Sequence, residues 1–186
     1  FDRIQRDSVL KGTETLSCAI SPLPSETRFG MASLLPHQSL TYQQGDVLVD
    51  AKPTNGTQPR DAILKSKKTS YAAIQYEEIT NMSRSELRTY MADKSLVYIY
   101  HNVIDNAGEH NERRVLDVAE TAIQELLDLI KKLYNNLQIS NFYITADHGF
   151  IFRRNTVMES DKYGGIVGLH PTETNKRYVI TDDPSM

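Results

Sequence analysis

The chain has 186 residues and a formal net charge of -3, which is length enough for one domain with a sizeable core and too acidic a balance for nucleic-acid binding as its chief role. Its one cysteine, Cys18, cannot close an internal disulfide, which points to a reducing compartment, with the cytoplasm as the default. No apolar run approaches the roughly 20 residues of a membrane-spanning helix, and the polar start Phe1-Asp2-Arg3-Ile4-Gln5-Arg6 is no signal peptide.

Residues 16–20 read as a short strand holding Cys18, and the prolines of Ser21-Pro22-Leu23-Pro24-Ser25-Glu26-Thr27 forbid helix up to that point. Residues 28–35 then suit a short buried helix with Thr27 at or near its N-cap. That place explains Thr27 in two ways. As a structural residue it caps free N–H groups of the first turn; as a nucleophile it carries a hydroxyl where those N–H groups and the helix dipole favour an anion. Capping is what threonine ordinarily does there. Residues 40–43 and 46–49 read as strands of a hairpin turned at Gln44-Gly45. Asn55-Gly56-Thr57 marks a loop, and a brief helix is expected to start on Pro59 at its first position. The lysines Lys65, Lys67 and Lys68 are ordinarily a solvated helix end, with a site for phosphate groups as the sharper alternative.

Residues 70–75 resemble a strand, and Ser83-Arg84-Ser85-Glu86 has the spacing of a capping box before a helix over 87–93. The most apolar strand is Leu96-Val97-Tyr98-Ile99-Tyr100. It runs directly into His101-Asn102-Val103-Ile104-Asp105-Asn106-Ala107-Gly108-Glu109-His110, where Asp105, Glu109, His110 and His101 are candidate ligands of one metal. Ordinary turn and capping chemistry is the equally open reading of the same residues. A long helix follows, with Val115, Val118, Ala119, Ala122, Ile123, Leu126, Ile130, Leu133 and Leu137 at helical spacing and mixed charges opposite. It reads as a sheet-covering crossover between two parallel strands, 96–100 and 142–146, whose ends then share one sheet edge. The second run ends in Ala146-Asp147-His148-Gly149, a carboxylate and an imidazole suited to one divalent ion, with a glycine that lets the backbone turn away. An N-cap aspartate beside a surface histidine is the plainer alternative. Beyond it, residues 151–154 read as a strand, 163–166 as a loop and 176–180 as a final strand.

Three segments together resemble the PglZ domain of bacteriophage-exclusion (BREX) systems, a branch of the alkaline phosphatase superfamily. They are Leu23-Pro24-Ser25-Glu26-Thr27-Arg28-Phe29-Gly30-Met31-Ala32-Ser33-Leu34-Leu35-Pro36-His37, Tyr98-Ile99-Tyr100-His101-Asn102-Val103-Ile104-Asp105-Asn106-Ala107-Gly108-Glu109 and Tyr143-Ile144-Thr145-Ala146-Asp147-His148-Gly149-Phe150. The resemblance implies an α/β fold, a three-layer α/β/α core with a mainly parallel sheet, of which residues 1–186 form the central part. It also implies a two-metal site in which Thr27 matches the nucleophile, Asp147 and His148 ligands of the activating metal, and Asp105 a ligand of the other. Glu109 or His110 stands where relatives often carry a histidine.

Zinc is the expected ion from the mixed nitrogen and oxygen donors, with manganese and magnesium as alternatives. The family's outermost ligands are expected before Phe1 and after Met186, with His170 as a remote substitute, so the chain on its own is expected to bind metal weakly and hydrolyse little. The implied parent is a metal-dependent phosphoester hydrolase of phage defence, working with other defence-system proteins. A catalytically inactive scaffold for those partners is the alternative. Direct nucleic-acid binding through Lys65, Lys67, Lys68, Arg153 and Arg154 is the weakest reading, given the charge.

Overall fold

The computed structural model describes residues 2–7, 10, 12–105, 115–149, 158, 171–175 and 178–181. Its elements in chain order are α1 (Asp2–Arg6), α2 (Thr27–Ser33), β1 (Leu40–Gln43), β2 (Asp46–Val49), β3 (Lys52–Pro53), α3 (Thr57–Lys67), β4 (Tyr71–Gln75), α4 (Tyr76–Asn81), α5 (Arg84–Met91), β5 (Leu96–Tyr100), α6 (Val115–Leu137), β6 (Glu173–Thr174) and β7 (Val179–Ile180). Strands β4 and β5 pair in parallel, with Tyr71 opposite Leu96 and Gln75 opposite Tyr100. The β1–β2–β3 meander and the β6–β7 hairpin are small antiparallel sheets. The class is therefore α/β with a parallel pair.

Why the 96–100 run is apolar throughout follows from this pair. Side chains alternate across a strand, so a run covered on both faces must be apolar at every position. One face, through Tyr71, Ala73 and Tyr98, meets a core of Ala32, Leu35, Val47, Val49, Ile63 and Leu64 from α2, the meander and α3. The other, through Ile74, Val97 and Ile99, meets Ile79, Leu87, Leu129 and Leu133 from α4, α5 and α6. The Tyr98 hydroxyl also donates to the Leu34 carbonyl at 2.9 Å, fixing the end of α2 to the sheet.

Several local expectations hold. The β1–β2 hairpin keeps its expected bounds, and its turn puts Gln44 and Gly45 at positive φ, 50° and 94°. Ser83 and Glu86 form both bonds of the capping box. Helix α3 starts two residues before Pro59, after Gly56, so the proline occupies the first turn, where its missing N–H has no intrahelical acceptor to lose. Helix α4 has no apolar stripe long enough to announce it; a capping box between Gln75 and Glu78 begins it.

Others do not hold. Residues 16–20 are not a strand, and Leu16 and Ile20 are exposed. Residues 142–146 are not a strand either: Phe142 packs against the second core, but Tyr143 is 95% exposed and Ile144 55%. An apolar run becomes a central strand only when neighbours cover it, and among the described residues β5 pairs with β4 alone. Among the described side chains of α6 the buried ones are Ala122, Leu127, Leu129, Ile130 and Leu133, while Ile123 is exposed. The expected strand 151–154, the loop 163–166 and residues 176–177 of the last strand lie outside the described residues; Val179–Ile180 is a strand and pairs with Glu173–Thr174. No helix among the described residues is long and apolar enough to cross a membrane.

Lys132 ties α6 to the end of α4. Its Nζ donates to the carbonyls of Ile79, Thr80 and Met82 at 3.3, 2.6 and 2.9 Å, serving groups left without partners where that short helix stops. Lys132→Met should therefore lower the unfolding free energy by about 1–3 kcal/mol in a urea melt. An unchanged midpoint would mean that water serves those carbonyls equally well.

Candidate functional site

The first turn of α2 and the segment 147–149 meet because of Gly30. A Cβ built there would lie 2.2 Å from the Asp147 carbonyl oxygen and 2.9 Å from the Asp147 Cβ, so no larger residue permits this approach without displacement. Glu26, in extended backbone, is the N-cap of α2, which leaves Thr27 as the first helical residue. The Thr27 hydroxyl is thus not spent on capping. Its Oγ1 lies 3.1 Å from His148 Nε2.

The tautomer follows from the other side of the ring. His148 Nδ1 lies 2.9 Å from the Gly149 carbonyl, which only accepts, so Nδ1 carries the proton and donates. In the neutral ring Nε2 is then the lone-pair nitrogen and accepts from Thr27. It also faces Asp147 Oδ2 at 3.6 Å, two electron-rich atoms side by side at a place where a cation is favoured. Both side chains are largely buried, 16% exposed for His148 and 17% for Asp147.

An imidazole nitrogen and a carboxylate oxygen are donor types that a divalent ion takes. Zinc bonds to nitrogen and oxygen of about 2.0–2.1 Å put neighbouring tetrahedral ligand atoms about 3.3 Å apart. The 3.1 Å and 3.6 Å separations around Nε2 lie on either side of that value. The Gly149 carbonyl supplies the outer hydrogen bond that fixes a ligating imidazole in the required tautomer.

The other candidate residues divide as follows. Among the described residues no three His, Cys, Asp or Glu side chains gather as a metal-holding group. Asp105, helical where the described segment after β5 ends, therefore forms no such group with Asp147 and His148. His101 is turned to a structural use: its Nε2 lies 2.7 Å from Glu125 Oε2, and its ring meets Tyr76 edge-on at 4.7 Å. Glu109, His110, His170, Arg153 and Arg154 lie outside the described residues. The lysines after α3 are engaged, Lys65 with Asp61 and Lys67 with Asp50 at 2.6 Å each, while Lys68 lies 5.7 Å from the centre of the Tyr71 ring. The Lys67 ammonium and the backbone N–H groups of Ser39 and Gln38 hold the Asp50 carboxyl well below the usual carboxylate range.

A charged network unannounced by the sequence brackets Thr27. Arg28 donates through Nε to Glu26 at 3.1 Å, through Nη1 to the Gly45 carbonyl, and through Nη2 to Glu173 and the Tyr178 hydroxyl. Tyr42 donates to the same Glu173, and Tyr178 to Glu26. The guanidinium lies 5.1 Å from the Phe29 ring centre and 5.8 Å from that of Tyr42. Arg28, and then Tyr42, hold the Glu173 carboxyl down at about 2. Glu173 in turn raises Arg28, and burial followed by the Glu26 bond pushes the Tyr178 hydroxyl up to about 12. Glu173 lies 145 positions from Arg28, and no local pattern links them.

A family model described as the BREX system PglZ alkaline phosphatase-like domain matches residues 4–186. The chain belongs to the PglZ family. It is 40% identical over 143 residues to the alkaline phosphatase-like protein PglZ of Bacillus cereus (strain H3081.97), a match covering 75% of this chain and 17% of that protein. It is 36% identical over 176 residues to the alkaline phosphatase-like protein BrxZ of Escherichia coli O9:H4 (strain HS), covering 90% of this chain and 20% of that one. The chain thus spans at most about a fifth of these two PglZ-family relatives. No solved structure matches it.

The network makes a pH prediction. Glu173 is held near 2 against an ordinary 4.5, a depressed carboxylate, so its stabilising contribution is present above about pH 4.5 and is lost as pH falls towards 2. Arg28→Met removes the largest cause. The variant should be less stable at pH 7 and lose less further stability than the unaltered chain between pH 4.5 and 2, measured by chemical melts at each pH. Parallel profiles would show that Arg28 does not hold Glu173.

Proposed function

We propose that the protein carrying this chain is a metal-dependent phosphoester hydrolase of phosphatase or phosphodiesterase type, acting in phage defence with Thr27 as its nucleophile. What supports the reading is the Thr27 hydroxyl 3.1 Å from the bare Nε2 of a largely buried histidine beside a carboxylate, in a chain of an alkaline phosphatase-like family. His148 Nε2 and Asp147 would hold one ion, zinc by donor type, with manganese or magnesium as alternatives. Asp105, with Glu109 or His110, would serve a second. Bound divalent ions lower the pKa of a nearby hydroxyl and stabilise the leaving oxygen of an in-line phosphoryl transfer.

The chain's own residues do the rest. With Nε2 serving as a ligand, Thr27 Oγ1 would be free of its hydrogen bond, lose its proton to water and attack phosphorus as the P–O bond to the leaving group breaks. The leaving oxygen takes a proton from water, and a second water then hydrolyses the phosphothreonine to free Thr27. The first turn of α2 orients that oxygen, and Gly30 keeps it next to Asp147 and His148. The Nδ1–H bond to Gly149 keeps the imidazole from turning. In the whole domain the parallel pair belongs to a larger sheet between two helical layers. The partners are other components of the defence system, in the cytoplasm.

The test uses full-length protein, because the chain is a small part of its relatives' length. With zinc, manganese or magnesium supplied, the protein should cleave an activated phosphodiester or phosphomonoester. Thr27→Ala and Asp147→Asn should each reduce turnover by about 100-fold or more, and Asp147→Asn should also weaken zinc binding by calorimetry. No turnover with any of the three metals, together with no zinc binding, would leave the scaffold reading in place of this one.

A further inference from the structure

We propose that the cleft between α5 and the end of α6 binds a phosphate group through Arg84 and Arg88. The proposal does not rest on the hydrolytic reading, since none of the cleft's residues takes part in it.

Most other described cations are committed, Arg6 and Lys52 being exceptions and Lys68 lying over the Tyr71 ring. Arg3, Lys65, Lys67, Lys94 and Lys131 each face a carboxylate, Arg28 is held by its network, Lys132 by three carbonyls, and Arg60 by the Thr54 carbonyl. Arg84 and Arg88 are exposed and have no such partner among the described residues. They stand one turn apart on one helix, a spacing that puts the Cβ atoms about 5–6 Å apart and sets like charges against each other. Glu86, the nearest acid in sequence, is used in the capping box with Ser83.

Both arginines open onto the same cleft of about 340 Å³, completed by Asn135, Asn136, Leu137 and Gln138. That volume lies at the lower end of the range for small-ligand sites, roughly 300–1,000 Å³. The chain leaves α6 through Gln138 in the left-handed region, φ 59°, whose N–H returns to the Tyr134 carbonyl at 2.8 Å. The Asn136 amide caps the Lys132 carbonyl at 2.8 Å. Of the helix-end carbonyls that attract guanidinium groups, that of Tyr134 thus already has a donor, and the Asn136 amide is spent inside α6. The forks of Arg84 and Arg88 remain for a ligand, with the Asn135 and Gln138 side-chain amides as further donors. Paired guanidinium forks match the oxygens of a phosphate, which a point charge does not.

The phosphate group has two sources, a small free anion or a nucleic-acid backbone. The test measures binding of pyrophosphate by calorimetry and of a labelled 12-nucleotide single strand by fluorescence polarisation at low salt. It uses full-length protein carrying Asp147→Asn, with no divalent metal added, so that hydrolysis of the probe at the other site is suppressed, and the binding read is the part that depends on Arg84 and Arg88. At least one probe should bind, and adding Arg84→Gln with Arg88→Gln should weaken it by about tenfold or more, with lysine at both positions restoring part of the affinity. Pyrophosphate binding alone assigns a small anion; binding of the strand alone assigns a polynucleotide. Binding of neither probe overturns the proposal, as does affinity unchanged in the glutamine pair. A lower melting temperature with unchanged affinity overturns it too, because the arginines would then serve only the negative end of α6.

Discussion

The arrangement around Thr27 depends on one missing atom. Where α2 passes the segment 147–149, Gly30 has no Cβ, and the Asp147 backbone occupies the space one would fill. That contact brings the first turn of a short helix against residues more than 115 positions further along the chain. A helix-interior glycine costs up to about 1 kcal/mol of propensity relative to alanine. Here the cost is offset by an approach that no other residue type allows, and the Thr27–His148 pair follows from it.

Around this contact the chain builds support from both sides. Beneath α2, the core of Leu35, Val49 and Leu64 fixes the helix against the meander and α3, and Tyr98 holds its end to β5. At its start, Glu26 and Arg28 carry the bonds to Gly45, Glu173 and Tyr178. Thr27 lies between those two residues. Its hydroxyl is therefore flanked by two residues whose own positions are fixed, the kind of support that the proposed nucleophile requires.

The sequence was most legible where structure is local. Hairpin β1–β2 could be read from Gln44-Gly45, α5 from Ser83 and Glu86, and β5 from five consecutive apolar residues. It misled where a pattern needs a partner to become structure. Residues 142–146 have the composition of a buried strand, yet Tyr143 and Ile144 are exposed and the run is unpaired among the described residues. Thr27, Asp147 and His148 could be singled out because a strand-like run ends in Asp-His-Gly and a proline-led loop ends in threonine, and the fold brings the three together. The Arg28 network could not be, since contacts spanning 145 and 152 positions leave no local periodicity. His101 shows the converse: a histidine at a strand end looks like a ligand, and only the fold reveals Glu125 beside it.

The central claim is that α2 is held against Asp147 closely enough for the Thr27 hydroxyl to meet an unprotonated His148 Nε2. Nitrogen-15 spectra of the His148 ring report this directly, recorded above the imidazole pKa in the unaltered chain and in Gly30→Ala. The account predicts a neutral ring with its proton on Nδ1 and a hydrogen-bonded, unprotonated Nε2 in the former, and loss of that Nε2 signature in the latter. A proton on Nε2, or identical spectra from the two proteins, would contradict it.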